Sequence, residues 1–313
     1  MNIGLDMMGG DFSPLEAVRG VQLYLKGTTA PATLFLLGDE TKINPLLQEY
    51  AIPATAVKVI HAPQVIEMNE HPTKALKEKQ QSSIAIGFHL LANGKMDAFI
   101  SAGNTGAMLV GALFSLKPIE GIQRPTICTI LPKTTGGTGV LLDVGLNADC
   151  KPENLNQFAI LGSLYAKHIL GIETPRVGLL NIGEEEGKGN ILAQAAYPLL
   201  KDNSQIHFIG NVEGRDLLID KADVMVCEGF TGNVILKMAE SLFDISREKK
   251  IQSEYFDQFD FELYGGTPLL GVTRPVIIGH GISHGKAFLN MIVLAQKMIQ
   301  THLLDKMKES FLS

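Results

Sequence analysis

Short, continuously apolar runs recur along this chain, and most of them lead through a glycine-bearing turn into a segment of helical period. The runs are Ile3 to Leu5, Thr33 to Leu37, Val57 to Ile60, Ala98 to Ile100, Ile127 to Leu131, Val140 to Val144, Val177 to Ile182, Ile206 to Ile209, Val224 to Val226 and Val276 to Ile278. The helical segments are Pro14 to Leu25, Ser82 to Ala92, Thr105 to Leu116, Glu153 to Leu170, Asn190 to Leu200 and His284 to Leu303. Strands that are apolar along their whole length are buried on both faces, and repetition of strand, turn and helix builds a mainly parallel sheet flanked by helices. The expected fold class is therefore α/β. A length of 313 residues fits one large domain or two of ordinary size, and with no repeat or linker-like tract the expectation is a single large α/β domain over residues 1–313. The compositional break lies at about 239–264, where seven acids and three bases surround Phe243, Tyr255, Phe256, Phe259 and Phe261. That stretch is expected to form a helical or loop excursion at the dimer-facing or membrane-facing surface.

Several function classes fall away early. The net charge of -6, without a long basic run, argues against nucleic acid as a partner, because such binding rests on Lys and Arg neutralising phosphates. The apolar runs fall far short of the ~18 residues that a membrane-spanning helix needs. Cys128, Cys150 and Cys227 are far apart and form no C-x-x-C pair, which fits a reducing cytoplasm and buried thiols rather than a metal cluster or disulfide framework. The first residues, Met1 to Asp6, lack the basic and apolar regions of a secretory signal and read as the start of the folded domain.

Glycine is in excess, at 32 of 313 residues, or about 10% against a usual ~7%. These glycines cluster where strands pass into helices: Asp6-Met-Met-Gly-Gly-Asp11, Ser101-Ala-Gly-Asn-Thr-Gly106, Asp143-Val-Gly-Leu-Asn147, Asn181 to Asn190, Gly210 to Asp216, Glu228-Gly-Phe-Thr-Gly-Asn233 and His280 to Lys286. In open α/β sheets ligands bind at those strand ends. No G-x-G-x-x-G follows the first strand, and the spacings around Gly187-Lys188 and Gly285-Lys286 each fall one residue short of a P-loop. What remains is the general device of free backbone N–H groups at a helix N-terminus, an anion site that needs no nucleotide motif. Ser101 to Gly106, running straight into an apolar helix, is the best example, although the same residues also suit a plain helix cap.

Taken in order, Asp6-x-Met-Gly-Gly-Asp11, Ser101-Ala-Gly-Asn-Thr-Gly-Ala107, Leu142-Asp-Val-Gly145 with Asp149-Cys-Lys-Pro152, Asn181-Ile-Gly-Glu-Glu185 with Lys188-Gly-Asn190, Glu228-Gly-Phe-Thr-Gly-Asn233, and Tyr264-Gly-Gly with Pro268-Leu-Leu-Gly271 resemble the motifs of the PlsX family. These are bacterial phosphate acyltransferases of phospholipid synthesis, and the resemblance covers nearly the whole chain. It implies conversion of acyl-[acyl-carrier-protein] and inorganic phosphate into acyl-phosphate and free acyl carrier protein, with a membrane glycerol-3-phosphate acyltransferase as the next user of the product. It also implies a homodimer and a fold similar to isocitrate and isopropylmalate dehydrogenases and phosphate acetyltransferases. In the family the stretch before Tyr264-Gly-Gly266 is usually longer and basic. Here it is shorter and its acids outnumber its bases, which weakens the electrostatic membrane grip expected of a cytoplasmic enzyme working peripherally at the bilayer.

The implied chemistry needs a phosphate cradle, positioning and stabilisation of an oxyanion, and neither a catalytic triad nor a metal, because phosphate is already an anionic nucleophile. No cofactor and no metal are expected. Ser101, Gly103, Asn104, Thr105 and Gly106 are the candidate cradle. Lys188 is the candidate mobile charge for phosphate or oxyanion, and Asn233 a candidate donor from another helix start. Asp6, Asp11, Asp143, Glu184 and Glu185 place carboxylates on the same rim, either to orient Lys188 and substrate groups or to cap helices and hold turns. Asp216, Asp220 and Asp223 are read as a solvated face, Arg215 as a partner of Glu213 or Asp216, and His280 and His284 as structural histidines or acids for the leaving thiol. Carrier proteins are acidic, so docking is expected on a local basic patch: Lys74, Lys77 and Lys79, or Arg247, Lys249 and Lys250. Two other readings compete with acyl transfer, a metal- and NAD-dependent dehydrogenase of similar fold and a non-catalytic acyl-binding scaffold.

Overall fold

The computed structural model describes residues 1–312. Its contacts gather into two compact units, Met1–Pro118 with Phe261–Gln300, and Ile119–Asp260 with Thr301–Ser313. The sequence, which has no repeat or linker-like tract, reads as one large domain.

The first unit contains β1 (Asn2–Asp6), α1 (Leu15–Gly27), β2 (Thr33–Gly38), α2 (Glu40–Glu49), β3 (Val57–His61), α3 (Pro72–Glu78), α4 (Ser83–Ala92), β4 (Ala98–Ser101) and α5 (Thr105–Ser115). The second unit contains β5 (Thr126–Pro132), β6 (Thr138–Leu142), α6 (Pro152–Tyr165), β7 (Arg176–Leu180), α7 (Ile191–Lys201), β8 (His207–Val212), β9 (Val224–Val226), α8 (Gly229–Glu248) and α9 (Glu254–Asp257). The chain returns to the first unit for β10 (Thr267–Leu270), β11 (Val276–Ile278) and α10 (Gly285–Gln300), and ends in the second with α11 (Leu303–Leu312).

In the first unit the strands run in the order β3-β2-β1-β4-β11-β10, parallel throughout except that β10 is antiparallel to β11. Ile3, Leu5, Leu34, Leu36, Phe99 and Ile277 are fully buried, as strands covered on both faces require. In the second unit the order is β5-β6-β9-β7-β8, with only β5 antiparallel to its neighbour. All ten runs expected to be strands are strands. The eleventh, β10, was missed because Pro268 and the preceding Gly265-Gly266 read as a loop; a proline is tolerated there because it removes only one ladder donor on a short strand.

The acidic stretch is built from the second half of α8, then α9. Its aromatic residues do not form a free face. Tyr255, Phe256 and Phe259 pack on one another, Tyr255 and Phe259 edge to face at 5.4 Å, and Phe259 is buried. Tyr255 Oη donates to the Pro132 carbonyl at 3.3 Å, and Phe243 lies under the Arg247 guanidinium at 5.2 Å. Most of this cluster is thus taken up by the chain itself. Among the described residues no helix is long and apolar enough to cross a membrane.

Candidate functional site

Because β1 and β4 are parallel neighbours with Leu5 opposite Ile100, the residues that follow them, Asp6 and Ser101, fall side by side at the carboxyl ends of the strands. Ser101 Oγ donates to Asp6 Oδ2 at 2.6 Å and accepts from the Gly103 N–H at 2.9 Å, while Asp6 Oδ1 accepts from the Met8 N–H at 2.9 Å. Both side chains are fully or almost fully buried. Burial pushes the Asp6 carboxyl up from its ordinary value, against the hydrogen bonds from Ser101, Ser83, Met8 and Gly9 that favour its charged form. Gly9 is sterically required: a Cβ there would sit 2.6 Å from both Asp6 Oδ2 and the Gly103 nitrogen.

Asn104 caps α5. Its Oδ1 accepts from the Ala107 N–H at 2.9 Å and its Nδ2 donates to the carbonyls of Glu67, Met68 and Glu70. Asn104, Ser101 and the Gly103 N–H are therefore engaged in building the turn. The backbone N–H groups of Thr105 and Gly106, the first two of α5, have no partner among the described residues, and Thr105 is exposed. They point out of a helix end that holds about half a positive charge. Asp11 is exposed, and its backbone N–H ties this rim to Gly281 O at 2.8 Å.

In the second unit Asp143 directly follows β6 and is wholly buried. Its carboxylate accepts from the N–H groups of Ile127, Leu146 and Asn147 and from Asn147 Nδ2, so it holds the turn and is not available to substrate. Burial raises its pKa, with these hydrogen bonds opposing. The N-terminus of α8 is pressed against the same strand end, and a Cβ on Gly232 would lie 1.8 Å from Asp143 O. This seats Asn233, exposed, with its Nδ2 donating to Val144 O at 3.2 Å.

The turn after β7 is braced through its backbone. Asn181 donates to Lys188 O at 3.0 Å, Gln194 to the carbonyls of Gly187 and Gly189, and Asn211 to Glu185 O. Gly189 has φ +95°, and a Cβ there would strike Asn181 Oδ1 at 2.2 Å. Glu184, Glu185 and Lys188 stand exposed on this frame. Glu184 pairs with Lys221 at 2.5 Å, and Lys188 Nζ has no ion-pair partner among the described residues. The structure thus gathers Asp6, Ser101, Gly103 and Asn104 into one cluster, Asp143 and Asn233 into a second, and Lys188, Glu184 and Glu185 onto a third turn.

One expectation changes. Asp216 and Asp223 are not a solvated face: both are buried. Asp223 meets Lys133 Nζ at 2.5 Å and Arg176 Nε at 2.9 Å, Asp220 is paired to the same two cations, and Asp216 meets Lys221 at 2.8 Å. Burial works to raise the Asp223 pKa, but the hydrogen bonds from Arg176 and Lys133 outweigh it and hold the carboxyl well below the usual range. Arg215 pairs with Glu213. His284 is stacked on Phe12 at 4.7 Å, and His280 packs on Phe261 with its Nδ1 buried and unbonded. The thiols of Cys128 and Cys227 are pushed far up by burial, and that of Cys150 to about 11, as inert buried cysteines require. Residues that the sequence reading left without a role are Asn147, which clamps Asp143, Asn181, which braces the Lys188 turn, and Glu16, whose Oε2 accepts from the Gly285 N–H at 2.7 Å at the start of α10. Asn147 and Asn181 lie in glycine turns, and that position was the available signal; Glu16 lies in the first turn of α1, where nothing local points to Gly285.

The chain matches the family model described as "Fatty acid synthesis protein" over residues 1–306. It is 43% identical over 329 aligned residues to the phosphate acyltransferase of Dictyoglomus turgidum, covering 99% of this chain and 97% of that one. It is also 43% identical to that of Halothermothrix orenii, covering 99% and 98%. Among solved structures it resembles a phosphotransacetylase from Streptococcus pyogenes, with a TM-score of 0.66, 18% identity and coverage of 96% and 94%. It also resembles a branched-chain phosphotransacylase from Enterococcus faecalis V583, with a TM-score of 0.63, 16% identity and coverage of 96% and 99%. At such identities the structures establish the fold alone, while the sequence relatives and the family model together establish kinship: the chain belongs to the fatty acid synthesis protein family to which these phosphate acyltransferases belong.

Proposed function

We propose that this protein is a phosphate acyltransferase that moves an acyl group from acyl-[acyl-carrier-protein] onto inorganic phosphate, releasing acyl-phosphate and the free carrier for glycerol-3-phosphate acylation in phospholipid synthesis. Acyl transfer as the reaction class rests on family membership. The observation that supports a phosphate acceptor is the pair of unpartnered N–H groups, Thr105 and Gly106, at the start of α5, beside a buried Asp6–Ser101–Gly103 chain of hydrogen bonds. A phosphate oxygen attacks the thioester carbonyl carbon, the carbon–sulfur bond breaks, and the thiolate leaves and takes a proton from water.

Within this reading the Thr105 hydroxyl and the α5 N–H groups hold the phosphate. Lys188 and Asn233 supply donors to the oxygens that gain charge, and Asp11, Glu184 and Glu185 set the polarity of the exposed turns. Asp6, Asp143, Ser101, Gly103 and Asn104 act as the rigid frame. No step draws on a cofactor or a metal, and among the described residues no three His, Cys, Asp or Glu side chains gather as a metal site. A homodimer working in the cytoplasm, peripherally at the membrane and beside a membrane glycerol-3-phosphate acyltransferase, completes the reading. The test is release of carrier thiol by the purified protein. Thiol appearing only when inorganic phosphate is present supports the proposal; release that ignores phosphate, or none at all, removes it.

A further inference from the structure

The first unit holds a groove of about 580 Å³ between α3, α4 and α5. Leu76, Val110 and Phe114 line it, with Thr73 at one end and Lys77 and His89 on its rim. Its floor is low because Gly111 has no side chain: a Cβ there would meet the Phe88 ring at 2.5 Å. Phe114 stands 81% exposed at the far end, with Leu113 beside it. An aromatic anchor raised at the edge of a partly apolar groove is the anatomy of a helix-binding surface.

Charge identifies the occupant. In a chain of net charge -6, no carboxylate lines this groove, and α3, α4 and α5 together contain one acid, Glu78, against Lys74, Lys77 and His89. Lys74 and Lys77 are three residues apart on α3, so they share a face, and both are exposed without ion-pair partners among the described residues. Lys79 is withdrawn, because its Nζ is bonded to Glu70 at 2.6 Å and to Val65 O. Of the rival basic run, Arg247 is laid over Phe243 and Lys249 lies 3.6 Å from Glu248, with four acids, Glu240, Asp244, Glu248 and Glu254, close by in sequence.

We infer that this groove docks an acidic, helical carrier protein that presents the acyl thioester. The inference rests on the acyl-transfer reading for what the carrier delivers. Its geometry suits delivery. Pro72 at the start of α3 lies against Gly106, so the Thr73 end of the groove adjoins the α5 N-terminus, and Phe114 lies only about 12 Å further along the helix.

The experiment compares wild type with the double variant Lys74→Glu/Lys77→Glu and with Phe114→Ala on two substrates, an acylated acidic carrier protein and a small acyl thioester of N-acetylcysteamine. Thiol release with inorganic phosphate and direct carrier binding are both read. The expected result is a KM for the carrier raised at least about tenfold in each variant, matching weakened carrier binding, and a flattened salt dependence for the charge-reversed variant. Turnover of the small thioester stays at the wild-type rate and so reports an intact fold and site. An unchanged carrier KM and carrier affinity overturn the docking surface. So does an equal rise in KM for both substrates, which would place the acyl chain itself in the groove. A wild-type protein that binds the carrier through these residues yet releases no thiol breaks the acyl-transfer reading and leaves the docking surface standing.

Discussion

The turn at 101–106 and the turn at 181–190 look alike as sequence, each a glycine-rich passage from an apolar strand into a helix, yet the structure builds them on opposite plans. In the first, every polar side chain from Ser101 to Asn104 is buried and bonded inward, and what faces outward is mostly backbone. In the second the backbone is braced by Asn181, Gln194 and Asn211, and the charged side chains of Glu184, Glu185 and Lys188 stand exposed. One plan fixes dipoles and the other presents a charge that can move. Fixed donors cost no reorganisation, while a flexible ammonium can follow charge as it shifts.

The strongest way to break the contrast is to disturb the ion cluster at the base of β7, the strand from which the second turn hangs. Asp223 and Lys133 are 7% and 5% exposed. Replacing Asp223 with Asn strips charge from a buried pair, so a loss of about 3–5 kcal/mol in unfolding free energy is expected at pH 7. The sign of its pH dependence follows from the depressed pKa. Stability from Asp223 is fully present above the ordinary carboxylate value of ~3.9 and is lost as pH falls through that value toward the lower folded one. Urea unfolding of wild type and variant should therefore differ widely at pH 7, and the gap should narrow progressively as pH falls below about 4. A gap that persists in acid assigns the effect to packing instead.

Lys188→Ala tests the second plan directly. Turnover is expected to fall by roughly 10²- to 10³-fold, the usual cost of losing one donor to developing charge. The melting temperature should stay at the wild-type value, because Lys188 makes only backbone hydrogen bonds here. Wild-type turnover in that variant would return Lys188 to the status of a solvated loop residue.

Ser101→Ala inverts that pattern. It removes a donor from the buried Asp6 carboxylate and an acceptor from the Gly103 N–H, so about 1–3 kcal/mol of stability is expected to go. Chemical denaturation measures this. Turnover should fall less than in Lys188→Ala, since the Thr105 and Gly106 donors remain. A variant as stable as wild type would mean that the turn does not depend on this chain of bonds.

Strand positions were legible in the sequence because continuous apolar runs bounded by glycine leave little else for them to be. The frame roles of Asp6, Asp143 and Asn104 were not, because a carboxylate or amide at a strand end looks the same whether it faces a ligand or the backbone. Only the register that sets Asp6 beside Ser101, and the approach that brings Asn147 under Asp143, decides between the two. Asp223 misled for a related reason: its partners Lys133 and Arg176 lie tens of residues away along the chain, beyond any local pattern. The exposure of Lys188 was legible, because standing on a glycine-flanked turn is a local property.

The smallest effect separates the charges of the second turn from one another. Glu184 is paired with Lys221 and not with Lys188, and its side chain is 59% exposed. Exposed ion pairs contribute little, since solvent screens them and ordering two long side chains costs entropy. Glu184→Gln should therefore leave turnover within about twofold of wild type and move the melting temperature by no more than about 1–2 °C. If turnover instead dropped with Lys188→Ala-like severity, Glu184 would be positioning the lysine through a rearranged turn. The 181–190 loop would then be a cooperative device like the 101–106 turn, and the contrast between a locked frame and a free charge would have to be given up.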